Sequence, residues 1–329
     1  MKHFNITGAS KAALVCIATC ASLFVYSVTG VAQTPKPKRI NRAIELLEQG
    51  QPIYYTGSHS GTVGTFEQGK QDAQTWADYI SYDMEAAPYD VAGLSAYMQG
   101  LAAGGPTRTG HKTPAVIVNV AVRGTDEATV RANSWMFEQV LATGVHGILL
   151  CHATTAGAVK AFVEAVRYPN HEQGVGPGKL QDGRRGAHGA ATASKIWGIS
   201  DQEYLQKADV WPLNPNGEIL LGVKIEDKFA FANVDEIVKV PGIGFGEGGP
   251  GDMALSFGFK PGDPRAKDVQ DKIFAAAKAQ HLYWLGIGGG RGANFEAMIE
   301  QTIKDGHMVG SGEETAAAGR KFTKRPLPY

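Results

Sequence analysis

The sequence predicts an α/β fold built as one (βα)8 TIM barrel over residues 40–329. Three observations predict it. Short apolar runs alternate with amphipathic helical patterns about eight times along the chain. The runs are apolar almost throughout, as expected of parallel strands covered on both faces. No Gly-x-Gly-x-x-Gly fingerprint with a following acid stands after the first run, which counts against a dinucleotide-binding open sheet. A chain of 329 residues has room for one large barrel or two medium domains.

In order, the segment after residue 40 has apolar residues at helical spacing up to Leu47, and the first strand follows at 53–55. The other strands are expected at 79–85, 115–123, 147–153, 219–227, 243–248, 282–287 and 307–310. Helices are expected at 129–142, 156–167, 266–280 and 294–304, where apolar residues recur every three or four places, as Val130, Trp135, Phe137 and Leu141 do. Residues 169–197 break the rhythm. They are rich in Gly, Arg, His and Ala without a period, and read as one long loop on the C-terminal face of the barrel, where active sites are built.

The N-terminus reads as a targeting segment. Lys2 and Lys11 precede an apolar run at 12–31 that ends Gly30-Val31-Ala32, so a signal peptide is expected at 1–32 with cleavage after Ala32. The alternative is an uncleaved anchor, because the run is nearly long enough to span a membrane. A basic, Pro-rich linker covers 33–39. Cys16 and Cys20 fall in the leader and leave only Cys151, so no internal disulfide is expected. Export without disulfides suits a periplasmic or secreted protein of a bacterium. Lys plus Arg and Asp plus Glu number 32 each, which offers nucleic acid no global charge to bind. No membrane partner is expected after leader cleavage.

Barrel chemistry comes from polar residues at the C-terminal ends of strands. Those ends carry Asp83 and Glu85, Arg123, His152, Glu226 and Asp227, Glu247 and Asp252. An acidic ring with one arginine suits a hard divalent cation and an anionic small-molecule substrate. A rim salt bridge explains any one of these residues equally well.

Three segments carry a family resemblance: Gly222-Val-Lys-Ile-Glu226-Asp, Pro241-Gly-Ile-Gly-Phe and Gly249-Pro-Gly-Asp252-Met-Ala-Leu-Ser-Phe-Gly258. Together they resemble the metal-binding half of the HpcH/HpaI aldolases, class II 2-oxo-acid aldolases related to 4-hydroxy-2-oxoheptanedioate aldolase. Upstream, Ala121-Val-Arg123 resembles the strand that delivers the family's substrate-binding arginine. The helix ending Arg167-Tyr-Pro169 resembles the family's helix that ends in Arg-Tyr-Pro, and the pair Arg185-Gly186 resembles the Arg-Gly that opens its active-site loop. The resemblance covers about residues 40 to 310.

It implies a barrel of the phosphoenolpyruvate/pyruvate-binding type. It implies Glu226 and Asp252 as ligands of Mg2+ or Mn2+, with Co2+ or Zn2+ as alternatives. Backbone N–H groups of Gly251 and Asp252 would hold a substrate carboxylate, and Gly189 and Ala190 would line the pocket. Arg123 would bind the carbonyl oxygen and stabilise an enolate. A homotrimer or homohexamer is implied as well. Tyr54 and Tyr55 read as pocket wall rather than catalyst.

The sequence also departs from the family. Asp83-Met-Glu85-Ala86-Ala87-Pro88 has Ala86 where the family carries its catalytic histidine. An acidic partner is lost near Ala142, and Lys224 replaces a glutamine. Three histidines could replace the missing acid/base: His59 after the first strand, His152 at the end of the fourth and His188 in the long loop. A Cys151–His152 nucleophile pair is disfavoured, since neighbours on a strand point to opposite faces. The expected activity is retro-aldol carbon–carbon lysis through a metal-stabilised enolate. The alternatives are another metal-enolate reaction (decarboxylation, hydration or isomerisation) and a non-catalytic binding protein.

Overall fold

The structure, a computed structural model, describes residues 39–57, 64–288 and 292–329. The segment expected to be a signal peptide, most of the expected linker and His59 lie outside the described residues. No helix among those described is long and apolar enough to cross a membrane.

Among the described residues nine parallel strands form the sheet: β1 (Ile53–Thr56), β2 (Tyr79–Asp83), β3 (Ala115–Arg123), β4 (Gly147–Cys151), β5 (Val210–Trp211), β6 (Ile219–Lys224), β7 (Phe245–Glu247), β8 (Tyr283–Ile287) and β9 (Val309–Ser311). β1 pairs with β9 and β4 pairs with β6, so eight of them close into a barrel. β5 is a two-residue strand beside the start of β6 and outside that ring. The eight expected strands are the eight of the ring. Their paired portions stop short at Asp83, Cys151 and Lys224, because the residues beyond turn out of the ladder to build the mouth.

Alternation divides the strand side chains into two cores. Tyr55, Tyr79, Ile117, Leu149, Leu220 and Phe245 pack inside the barrel, where Ile44 and Leu47 of helix Arg42–Glu48 join them. Ile80, Val118, Ile148, Leu150, Leu221 and Val223 point outward under the surrounding helices. The interior is filled rather than hollow. A Cβ on Gly222 would lie 2.4 Å from the Phe245 ring, so a side chain is excluded there.

Two expectations about helices change. The 129–142 helix is two helices, Glu127–Ala132 and Ser134–Ala142, broken at Asn133, whose side-chain amide donates to Thr129 O at 2.9 Å. The 169–197 stretch is not wholly irregular, for it contains helix Ala190–Trp197. That helix is bounded at both ends by left-handed glycines, Gly189 at φ 83° and Gly198 at φ 72°. Its small, Ala-rich sequence hides the period that would have announced it.

Candidate active site

The mouth at the C-terminal ends of the strands gathers Glu85, Arg123, His152, Lys224, Glu226 and Glu247 with a thiol. β2 runs into a turn held by Asp83, whose Oδ1 accepts the backbone N–H groups of Glu85 at 2.8 Å and Ala86 at 3.3 Å. This turn aims Glu85 across the mouth. There the Lys224 ammonium at the end of β6 donates to Glu85 Oε2 and lies 3.7 Å from Glu247 Oε1 at the end of β7. Glu85, Lys224 and Glu247 follow or end three separate strands, so the barrel alone brings them together.

His152 follows β4 in the left-handed region, at φ 48°. A non-glycine residue there is uncommon and costs of order 1 kcal/mol. The turn directs the backbone N–H of His152 to Glu226 Oε1 at 3.0 Å. It also brings Nε2 to 3.0 Å from Arg123 Nη2 and 3.4 Å from Glu85 Oε1, with Nδ1 3.5 Å from Glu226 Oε1. Strand alternation ends at this kink. The Cys151 thiol, which donates to Leu149 O at 3.8 Å, therefore lies close enough to Glu85 to influence it and shares the site with its neighbour, contrary to the opposite-face expectation. Burial pushes that thiol well above its ordinary range, so it is a neutral packing group rather than a nucleophile.

The electrostatics follow from burial against Lys224. Burial raises the Glu85 carboxyl, but hydrogen bonds from His152, Cys151 and Lys224 outweigh it and hold the group at about 2. Glu247 lacks so close a partner, and burial pushes it up to about 7. Burial also raises Glu226. The hydrogen bond to Glu85 raises His152 against the opposing effects of burial and Arg123. Lys224 is itself driven upward by surrounding negative charge despite burial, so it is an ammonium and a poor Schiff-base nucleophile.

Glu85, His152 and Glu226 each offer a ligand atom within 4.8 Å of the others, a span a metal ion could bridge. Glu226 Oε2 has no hydrogen bond among the described residues. Gly249 comes so close that a Cβ there would lie 2.4 Å from this oxygen. A buried carboxylate with one oxygen undonated, ringed by oxygen and nitrogen donors, fits a hard divalent cation. Asp252 stands exposed in the first turn of helix Pro250–Phe257, after Gly249-Pro250-Gly251, with no hydrogen bond or ion pair among the described residues.

The remaining expected residues have distinct places. Gly251 is exposed in that same helical turn, with open space where a side chain would go. Tyr55 is buried inside the barrel, bonded to Ser311 and lying 5.3 Å from the Tyr79 ring. Asp227 is chiefly a helix cap, its Oδ1 accepting from Phe229 and Ala230. His188 is exposed beside Gly186. Gly189 packs on Ala142, where a Cβ would lie 2.3 Å from the alanine's, and Ala190 is buried behind it. Arg185 is structural. It lies 4.6 Å above the Tyr168 ring and donates to Tyr204 Oη at 2.8 Å, while Arg167 pairs with Asp209 at 2.7 Å. The Arg-Tyr-Pro helix end and the Arg-Gly loop thus clamp one another.

A family model described as HpcH/HpaI aldolase/citrate lyase matches residues 73–303. The hydroxypyruvate/pyruvate aldolase of Sagittula stellata is 27% identical over 232 residues, 70% of this chain and 75% of that protein. The 2-keto-3-deoxy-L-rhamnonate aldolase of Klebsiella pneumoniae is 31% identical over 145 residues, 44% of this chain and 46% of that one. The crystal structure of a family member from Burkholderia cenocepacia shares the fold with a TM-score of 0.59 at 22% identity, over 83% of this chain and 94% of that chain. An HpcH/HpaI aldolase from Desulfitobacterium hafniense does so with a TM-score of 0.57 at 19% identity, over 87% of this chain and 97% of that one. With the barrel, the strand-end acids and the matched span in agreement, the chain belongs to the HpcH/HpaI aldolase/citrate lyase family and is a lyase of the aldolase type.

Proposed function

We propose that the protein is a divalent-metal-dependent retro-aldolase of 2-oxo acids that works outside the cytoplasm. The observation that carries this reading is Glu226, a buried carboxylate whose Oε2, beside the Gly249 backbone, takes no hydrogen bond from the described residues. Held by Glu226 and Asp252, a cation such as Mg2+ or Mn2+ would act as a Lewis acid toward the substrate's carbonyl and carboxylate oxygens. The substrate class follows the named activities of the relatives, which act on pyruvate, hydroxypyruvate or a keto-deoxy sugar acid. The extracytoplasmic site rests on the basic-then-apolar leader, and a trimer or paired trimers on the family resemblance.

The chain's own residues divide the work. Arg123 donates to the oxygen on which negative charge develops. The first-turn N–H groups of Gly251 and Asp252 receive the substrate carboxylate. His152 Nε2 exchanges the proton: it takes one from the hydroxyl on the carbon that leaves. The bond from that carbon to its neighbour breaks, and an aldehyde departs. The electron pair stays on the oxo-acid fragment, which regains a proton at carbon. Nε2 suits this exchange because it faces both an acceptor, Glu85, and a donor, Arg123. Lys224 fixes Glu85 in reach of it.

Incubating the full chain with a panel of 4-hydroxy-2-oxo acids and Mn2+ tests the reading. Release of an aldehyde with an equal amount of a shorter 2-oxo acid supports it. Ala86 in place of the family histidine favours one rival, a different reaction at the same centre. Carbon dioxide or an isomer as product would support that rival.

A further inference from the structure

The wall of the mouth opposite His152 carries a polar side chain that the lyase reading leaves unused. In the closed ring β9 stands four strands from β4 in either direction, so the loop after β9 faces the turn that holds His152. β8 and β9 end there in two glycines with positive φ, Gly288 at 142° and Gly312 at 90°. A Cβ built on Gly288 would meet nothing nearer than 3.6 Å, and one on Gly312 nothing nearer than 3.8 Å. The two glycines therefore leave a notch at the rim, open where side chains would otherwise stand.

Thr315 closes the back of this notch. Its Oγ1 lies 3.9 Å from the Cβ position of Gly288 and 3.8 Å from that of Gly312. The residue is 6% exposed, yet its hydroxyl makes no hydrogen bond among the described residues. Nor is the oxygen enclosed, as the orphan amide atoms of Asn119 are: it opens into the notch. Thr315 belongs to the first turn of the ten-residue helix Glu313–Phe322, whose N-cap is Gly312 and which no side chain caps. A free hydroxyl and uncapped first-turn N–H groups thus meet at one point of the rim, the place where barrels often bind the far end of a substrate.

Charge selects among the groups that could bind there. The helix end carries about half a positive charge, which turns away a cation. Glu313 and Glu314 stand exposed in the same turn, two full negative charges that turn away an anion. An apolar group would strip water from the Thr315 hydroxyl and return no hydrogen bond. An uncharged hydroxyl meets all three conditions, because it accepts from an N–H and exchanges a hydrogen bond with Oγ1.

We propose that Thr315 and this helix end form a specificity subsite for hydroxyl groups at the far end of the substrate. The placement of the substrate rests on the lyase reading above. With the 2-oxo acid at Glu226 and its C4 hydroxyl turned toward His152 after β4, the carbons beyond C4 run to the opposite wall, at β9. The substrate class is then a 4-hydroxy-2-oxo acid with a polyhydroxylated tail, rather than one that ends in an alkyl chain or a second carboxylate.

Binding of acids that cannot be cleaved tests the subsite apart from the reaction. 5,6-Dihydroxy-2-oxohexanoate and 2-oxohexanoate both lack the C4 hydroxyl and differ only in the tail. In calorimetric titration of the full chain with Mn2+ present, the dihydroxy acid should bind roughly tenfold tighter. Thr315→Val keeps the shape and loses the hydroxyl, and should bring the two affinities close together. Thr315→Ser should keep most of the preference, which separates loss of the hydroxyl from loss of the fold. Equal affinities in the wild type, a preference unchanged in Thr315→Val, or tighter binding of 2-oxohexanedioate than of the dihydroxy acid would overturn the proposal. The lyase reading is judged separately, by whether 4,5,6-trihydroxy-2-oxohexanoate yields equal amounts of aldehyde and pyruvate. A Thr315-dependent preference in a chain that cleaves nothing would support the subsite and sink that reading.

Discussion

Arg123 Nη2 lies 3.0 Å from His152 Nε2, and Glu85 Oε1 lies 3.4 Å from the same nitrogen. Arg123 can donate to Nε2 only when that nitrogen is bare, and Glu85 can accept from it only when it is protonated. The imidazole thus has one partner ready for each protonation state. This is what a residue needs if it is to take over the work of the histidine that Ala86 replaces. Substituting His152→Gln should lower kcat by about 10²–10⁴-fold. It should leave Mn2+ affinity nearly unchanged, as read by titration calorimetry.

The metal assignment separates two donor sets. If Glu226 and Asp252 hold the ion, Asp252→Ala weakens Mn2+ binding at least tenfold while His152→Gln spares it. The reverse pattern assigns the ion to Glu85, His152 and Glu226, the trio whose ligand atoms lie within 4.8 Å. Electron paramagnetic resonance of free Mn2+ measures both.

Gly249 packs directly against Glu226 at the barrel mouth. A Cβ at that position would lie 2.4 Å from Glu226 Oε2, although the backbone, at φ −77°, accepts any residue. Gly249→Ala should therefore keep its thermal midpoint but lose roughly tenfold or more in kcat/KM, the displacement of one metal-binding oxygen. A large drop in the midpoint would show that the contact is structural instead.

Lys224 is 3% exposed and lies between Glu85 and Glu247. Removing one partner of a buried ion pair leaves the other charge uncompensated, at about 3–5 kcal/mol. Lys224→Met should lower stability by about that amount in urea unfolding. It should also raise Glu247 further above about 7, since Lys224 is the group that holds it down.

His146 should govern part of the acid limb of stability. It is fully buried, accepts the Val116 N–H at Nδ1 over 3.2 Å and stacks on Trp197. Burial depresses it from 6.5 to about 3, with His111 adding to the effect. Between those values the unfolded chain binds a proton that the folded chain does not. Stability is therefore complete above pH 6.5 and falls as pH drops toward 3, by up to about 1.4 kcal/mol per pH unit. Urea unfolding at pH 7, 6 and 5 measures the slope, and His146→Asn should flatten it.

Much of the barrel was legible because parallel strands are apolar on both faces and stand out as runs. Arg123, His152 and Glu226 were legible for the same reason, being charges that end such runs. The unreadable parts depend on geometry that no local pattern records. The left-handed turn at His152 puts Cys151 and His152 in one site. Lys224 and Glu85 are 139 residues apart in sequence and meet only when β2 and β6 face across the mouth. Asp227 looked like chemistry yet caps a helix, because an acid after a strand is also the residue that starts the next helix. Arg185, expected at the opening of the active-site loop, stacks on Tyr168 and anchors it from below.

The most direct test of the central claim is product analysis by mass spectrometry on 4-hydroxy-2-oxo acids, comparing wild type with Glu226→Ala, each with Mn2+ and with a chelator. The account predicts equal amounts of aldehyde and shorter 2-oxo acid from wild type with metal. It predicts none from the chelated enzyme or from the variant. Full turnover by Glu226→Ala, or turnover that releases no carbonyl fragment, would contradict it.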